Sequence, residues 1–312
     1  MTKMTMIICY TALLICMNVI LLIAVFHQRF HACNADLRSA TAASFDSHSA
    51  IPSTAETLYA MYGEGNFHDG NEHVLNYIRS MTSQQDPGSR RQLQNYTRVD
   101  YSQYGGSRFV DKLLKQRRNG FFVECGAFHG EDLSDTLFFE LERNWTGILI
   151  EAHPEYHRDI LRKNRHALVL RGCLSADQRP GMVKFRLKGW GSGVSAFNRN
   201  VKAADNTVPE TDVQCFSLNS IMASIGIRHI DFMVLDVEGS ELPVLESIDW
   251  TRLSIDVFSI EYSGYRRLQK LDKLRQFFGR RGGYKEVGKL PLSAKAHVAQ
   301  DVVFMRTSTK NE

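Results

Sequence analysis

From about residue 99 onward, short and wholly apolar runs alternate with stretches whose apolar residues recur at helical spacing. SRFVDKLLKQRR (107–118) places Phe109, Val110, Leu113 and Leu114 on one face of a predicted helix, which Asn119-Gly120 ends. GFFVE (120–124) follows as a strand. LSDTLFFELERN (133–144) returns to the helical period, with Ser134 at the expected N-cap. TGILIE (146–151) is a second strand, PEYHRDILRKNR (154–165) a helix opening on proline, and HALVLRGCLS (166–175) a third strand. LNSIMASIG (218–226) and ELPVLESID (241–249) read as helices before the strands IDFMVLDVEG (230–239) and IDVFSIEYS (255–263). A basic helix (265–283) and the pair YKEVGKL and DVVFMRT complete the pattern. Apolar strands separated by amphipathic helices predict an α/β domain, a doubly wound, mostly parallel sheet covered on both faces. The last pair, with no helix between, predicts a hairpin at an antiparallel edge.

The N-terminal third follows another pattern. Residues 6–26 form an uncharged run of 21 residues, long enough to cross the roughly 30 Å hydrocarbon core of a bilayer as a helix. It exceeds the apolar region of a cleaved signal peptide, so it reads as an uncleaved anchor. The predicted organisation is a short tail (1–5), a transmembrane signal anchor (6–26), a stem and linker (27–98), the α/β domain (99–307) and a short tail (308–312). One short helix, EHVLNYIRSM (72–81), is expected within the stem. Lys3 on one flank and Arg29 and Arg38 on the other leave the orientation open by charge. The sequons Asn95-Tyr96-Thr97 and Asn144-Trp145-Thr146 place the chain beyond the anchor in the lumen, in the endoplasmic reticulum, Golgi or endosomal system.

A net charge of +4 over 312 residues gives no concentrated basic face, so no nucleic-acid partner is expected. Cys33, Cys125, Cys173 and Cys215 lie beyond the anchor without a C-x-x-C pair. That spacing excludes a cysteine zinc site and a dense disulfide framework, and leaves one disulfide or free buried thiols as alternatives.

The candidate chemistry sits where doubly wound sheets bind ligands, at the carboxyl ends of the strands. Strand one ends at Glu124, followed by Gly126 and Gly130; strand two ends at Glu151, strand four at Asp236 with Glu238 and Gly239 behind it, and strand five at Glu261. The E-x-G-x-x-x-G turn lacks the first glycine of the dinucleotide fingerprint, and Glu124 would repel a pyrophosphate. An acid near a positive group, glycines beneath it and a second acid for ribose hydroxyls suit S-adenosyl-L-methionine better than NAD. Asp236, Glu238 and His129 are candidate bases for removing a hydroxyl proton. Asp236, Glu238 and Glu241 have the chemistry of a metal site, but no metal is expected. His153 and His157 read as solvent-facing, and Arg90-Arg91 as solvated charge or a processing site. The basic helix reads as an outer face or a contact for an acidic partner.

The segments YSQYGG…NGFFVECGAFHGEDLSDTLFFELERNWTGILIEAHP and LNSIM…IDFMVLDVEGSELPVLESIDW resemble the FkbM family of S-adenosylmethionine-dependent methyltransferases, over roughly residues 100–307. Four motifs appear in order. The resemblance implies a class I methyltransferase fold and S-adenosyl-L-methionine as cofactor. It implies cofactor contacts at Glu124, Gly126, Gly130, Glu151 and, at the adenine end of strand three, Ser175. Asp236, Glu238 and Gly239 would stand beside the transfer site. The wording of the first motif is similar to the arthropod branch typified by the trafficking factor Star. Two functions follow as expectations: a membrane-anchored O-methyltransferase acting on a glycan, or a binding module that assists export of membrane-bound protein cargo. Three positions depart from the family pattern: His129 where Asp or Asn is usual, Gly106-Ser107 where an acidic pair is usual, and Asn219 where Asp is usual.

Overall fold

The computed structural model describes residues 70–103, 105–176, 178–188, 193–194, 208–264, 266–290 and 301–307, all within the unit Thr54–Glu312. Residues 6–26 lie outside the described residues; among those described, no helix is long and apolar enough to cross a membrane.

The main sheet has eight strands, in the order β1 (Thr82–Gln84), β4 (Leu168–Arg171), β3 (Thr146–Glu151), β2 (Phe121–Cys125), β9 (His229–Leu235), β10 (Ser254–Glu261), β12 (Asp301–Arg306), β11 (Tyr284–Leu290). The five strands from β4 to β10 are mutually parallel. Their apolar residues are buried on both faces: Phe122, Val123, Ile148, Leu149, Phe232 and Met233 have no accessible surface. This explains continuous apolar runs rather than alternation. The helices α1 (Glu72–Met81), α2 (Gly106–Leu113), α3 (Leu137–Glu142), α4 (Pro154–Lys163), α5 (Leu218–Ser224), α6 (Glu241–Ser247) and α7 (Arg267–Arg281) accompany the sheet. In α7 the apolar stripe Leu271, Leu274, Phe277 and Phe278 is buried, while Leu268 is left exposed.

Four features differ from the sequence expectation. The last two strands do form the expected antiparallel hairpin at the sheet edge, but in an order not legible in the sequence. The hairpin's second strand, β12, inserts between β10 and β11, so the antiparallel strand is internal and the edge strand β11 runs parallel to β10. Helix α3 begins later than expected, at Leu137, with Thr136 in the N-cap position; buried Ser134 still caps its first turn, its Oγ accepting from Leu137 N–H at 3.2 Å while its hydroxyl donates to Glu124. Residues from 72 onward belong to the domain rather than to a stem: α1 buries Val74, Leu75 and Ile78, β1 pairs with β4, and Leu93 packs with Tyr101 and Leu137. Arg91 is not free charge, because its Nε donates to buried Glu140 at 2.5 Å.

Between β4 and α5 stands a second, four-stranded sheet, in the order β5 (Cys173–Leu174), β8 (Glu210–Phe216), β6 (Gly181–Arg186), β7 (Gly193–Val194). Cys173 and Cys215 are register partners on β5 and β8 and form a disulfide. Buried Cys125 remains a free thiol, its pKa pushed above the usual thiol range by burial.

Candidate active site

A cavity of about 200 Å³ opens at the carboxyl ends of β2, β3, β9 and β10. Eight of its described lining residues are acidic and none is basic. Phe185 of the second sheet contributes to its wall. A ligand carrying phosphate would be repelled from such a cavity, whereas a cationic ligand would be attracted.

The first wall is the turn after β2. Glu124 is buried, and its carboxylate is held from the chain itself: Asp135 N–H donates to Oε1 at 2.9 Å, and the Ser134 and Thr136 hydroxyls donate to Oε2. Burial raises its pKa, while nearby Arg165 acts in the opposite direction. Glu124 therefore ties the loop at 134–136 to the sheet and contributes negative potential at the cavity. Gly126 has φ +81°, and a Cβ there would lie 2.0 Å from the Asp236 carbonyl oxygen. Only glycine lets the turn pass so close to the end of β9. Gly130 packs against Ile160 of α4 and is not part of the cavity wall.

The second wall follows β3. Glu151 accepts from Phe128 N–H on Oε2 at 2.8 Å and from His153 N–H on Oε1 at 2.7 Å. Burial pushes its pKa up to about 7. Each oxygen keeps lone-pair capacity for a further donor. Tyr156 and Phe128 meet edge to face at 4.4 Å between ring centroids and line the same wall. His153 and His157 are buried rather than solvent-facing. His153 caps α4 through Nδ1, which accepts from Glu155 N–H at 3.2 Å, and its ring stacks on Tyr156 at 4.1 Å.

The third wall joins β9 and β10. Asp236 follows the last residue of β9, and its Oδ1 is sealed from solvent without a hydrogen-bond partner. Burial first, then the neighbouring carboxylates of Glu261 and Glu238, raise its pKa well above the usual range. Glu238 stands at φ +53°, and burial together with Glu261 pushes its pKa up to about 7. Glu241 belongs to the support: its Oε1 accepts from Val237 N–H and Gly239 N–H and holds the loop that presents Glu238. Sequence reasoning gave no role to Asp301, which faces Glu261 across the β10–β12 pair. The antiparallel insertion of β12 brings the start of that strand to the carboxyl end of β10. Asp236, Glu238 and Glu261 each offer one oxygen, all within 4.8 Å of one another.

Glu124, Gly126, Glu151, Asp236 and Glu238 thus share one cavity, while His129, Gly130 and Ser175 do not line it. His129 Nδ1 is buried without a partner and its Nε2 lies 3.6 Å from Asp132. Ser175 follows lining residue Leu174 and donates its N–H to the Phe216 carbonyl at 2.8 Å. Two departures from the family pattern have structural roles. Asn219 both donates to Asp249 O, at 3.0 Å, and accepts from Asp249 N–H, at 2.8 Å, which an ionised aspartate cannot do. Ser107 is fully buried and donates to the Asp135 carbonyl at 3.0 Å.

Among solved structures the chain is similar to a TehB-like SAM-dependent methyltransferase from Corynebacterium glutamicum, at 14% identity and a TM-score of 0.37, covering 65% of this chain and 88% of that one. It is also similar to a precorrin-6y C5,15-methyltransferase from Geobacter metallireducens, at 13% identity and a TM-score of 0.34, covering 64% and 87% of the two chains. A putative RNA methyltransferase from Pyrococcus horikoshii is similar at 13% identity and a TM-score of 0.35, covering 76% and 98%. No curated protein matches the chain. The model of the methyltransferase FkbM domain matches residues 124–286, more than half of the chain and a range that holds Glu124, Glu151, Asp236, Glu238 and Glu261. The chain belongs to the FkbM methyltransferase domain family.

Proposed function

We propose that the protein is an S-adenosyl-L-methionine-dependent O-methyltransferase. The observation that carries this reading is the cavity at the strand ends with eight acidic lining residues and no basic one among those described. S-adenosyl-L-methionine, when bound, supplies a methyl group on a positively charged sulfur. Glu151 would accept hydrogen bonds from ribose hydroxyls, and the Phe128–Tyr156 pair offers aromatic surface beside it. Gly126 keeps the turn free of side chain where it meets Asp236. On the far wall, Asp236 takes the proton of the acceptor hydroxyl. A carboxylate held well above its usual pKa is a stronger base once ionised, and a positive charge nearby favours that ionised state. Holding acceptor and base in line supplies much of the rate.

The acceptor we propose is a hydroxyl of a glycan, in a membrane-anchored protein whose domain is luminal. The uncharged run 6–26 and the two sequons support this placement, as does the Cys173–Cys215 disulfide, a bond typical of oxidising compartments. The test is methyl transfer from labelled cofactor to a glycan extract by wild-type chain and by Asp236→Asn. Label incorporated by wild type and lost in the variant supports the reading. If wild type binds cofactor, transfers no methyl group and is needed for export of membrane-bound cargo, the Star-like binding-module reading replaces it.

A further inference from the structure

Asp236, Glu238 and Glu261 come from two neighbouring strand ends and the loop between β9 and α6, yet bring one oxygen each to within 4.8 Å of the others. Carboxylates so close repel one another unless they are protonated or gather a cation. A second feature points to a ligand. Glu261 is only 8% exposed, and its Oε2 has no partner; Ser259, 2% exposed, lies one pleat back on the same face of β10 with its hydroxyl also unanswered. Ser240, 3% exposed, leaves a third polar atom unsatisfied, and all three residues line the cavity. Buried polar atoms are normally bonded, so several orphans on residues that line one cavity mark the place of a missing partner.

A second acidic group gives the contrast. His229, Asp231 and Asp256 also bring ligand atoms within 4.8 Å of each other. There Arg117 reaches both aspartates and Arg306 reaches Asp256, so the charge is already answered from the protein. At the cavity the fields of Lys270 and Lys188 reach Glu238 and that of Lys270 reaches Glu241, but Lys270 donates its hydrogen bond to the Ser263 carbonyl at 3.0 Å.

We propose that Asp236, Glu238 and Glu261 bind a hard divalent cation, Mg²⁺ or Ca²⁺, whose remaining positions take the acceptor hydroxyl and a neighbouring oxygen of the same substrate. An all-oxygen donor set selects this class of metal over softer ones. The acceptor is then a diol or a hydroxy acid, which can present two oxygens to one ion. One oxygen per residue suffices for the ion, so the second oxygen of Asp236 keeps its role toward the hydroxyl proton. Glu241, through the Val237 and Gly239 amides, is the positioning residue that orients Glu238. The substrate half of this inference rests on the methyltransferase reading; cation binding does not.

The test titrates Mn²⁺ into the full chain without any methyl donor and follows the resonance of free Mn²⁺ by electron paramagnetic resonance, with Mg²⁺ as competitor. One site per chain is expected, displaced by Mg²⁺ and weakened at least about tenfold in Glu261→Gln and in Glu238→Gln. Glu238 is half-buried, so its variant reports even where the more buried Glu261→Gln does not fold. A folded chain that leaves Mn²⁺ free at millimolar concentration, or binding unchanged in both variants, overturns the inference. Cofactor binding without Mn²⁺ binding defeats the cation alone; failure of the cofactor to bind defeats the methyltransferase reading, whatever Mn²⁺ does.

Discussion

Asp236 and Glu261 stand side by side at the ends of neighbouring parallel strands, one step beyond the last register pair, Leu235 with Ile260. Each keeps one carboxylate oxygen buried without a partner. A fold gains nothing in stability from two unanswered acids at that distance. Their placement makes sense as part of a site.

Asp236→Asn keeps size and shape while removing the carboxylate proposed as the base. Methyl transfer is expected to fall about 10²–10⁴-fold, with cofactor affinity changed only a few-fold. Initial rates and calorimetry on the same preparation separate the two effects. Unchanged turnover would remove Asp236 from the chemistry.

With Glu151 as the proposed ribose acceptor, cofactor binding is expected to depend on pH. In the proposed complex ribose hydroxyls would donate to the ionised carboxylate, so binding should expel the proton carried below about pH 7. Affinity should rise from pH 6 to pH 8, with proton release visible as a buffer-dependent heat. Glu151→Gln should bind more weakly and lose that dependence. The same residue bears on stability. Its folded pKa, about 7, is above the ordinary 4.5, so its contribution is fully present below pH 4.5 and lost as pH rises through 7. The change is on the order of 3 kcal/mol. Relative to wild type, Glu151→Gln should therefore melt higher at pH 8 than at pH 5.

Gly126 and Gly226 both have positive φ, +81° and +72°. At Gly126 a methyl group meets the Asp236 carbonyl, whereas at Gly226 nothing lies within 4 Å. Gly226→Ala should cost about 1 kcal/mol, the strain alone. Gly126→Ala should cost several-fold more or prevent folding. Equal melting temperatures for the two variants would contradict the close approach of the turn to β9.

The disulfide closes a sequence separation of 42 residues and pins β5 to β8. Replacing Cys173 and Cys215 by serine should lower stability by about 2–4 kcal/mol in oxidising buffer. Reduction of wild type should give the same loss. Thiol labelling of the native chain should find neither cysteine reactive.

The parallel core was legible because its strands are buried on both faces, which leaves uninterrupted apolar runs such as Phe121–Val123 and Ile148–Ile150. The strand-end acids Glu124, Glu151 and Asp236 were legible for the same reason, since an acid closing an apolar run stands out. The second sheet was not. Along β6 and β8, Met182, Lys184, Glu210 and Asp212 face solvent, and these strands show too little apolar character to be separated from loop. The place of Ser134 in the sequence suits a helix cap, and its Oγ does accept from Leu137 N–H; only the fold shows that the same hydroxyl donates to buried Glu124. Asp301 depends on β12 entering the sheet antiparallel, a matter of topology that a local pattern does not carry.

Every role proposed for the strand-end acids in methyl transfer depends on the acid-lined cavity holding S-adenosyl-L-methionine. Calorimetric titration of the full chain with the cofactor and with its demethylated product tests it most directly. One saturable site is expected for each, weakened in Glu151→Gln, with no competition from NAD at equal concentration. A folded chain that gives no heat with either ligand at millimolar concentration, or that prefers NAD, would contradict it.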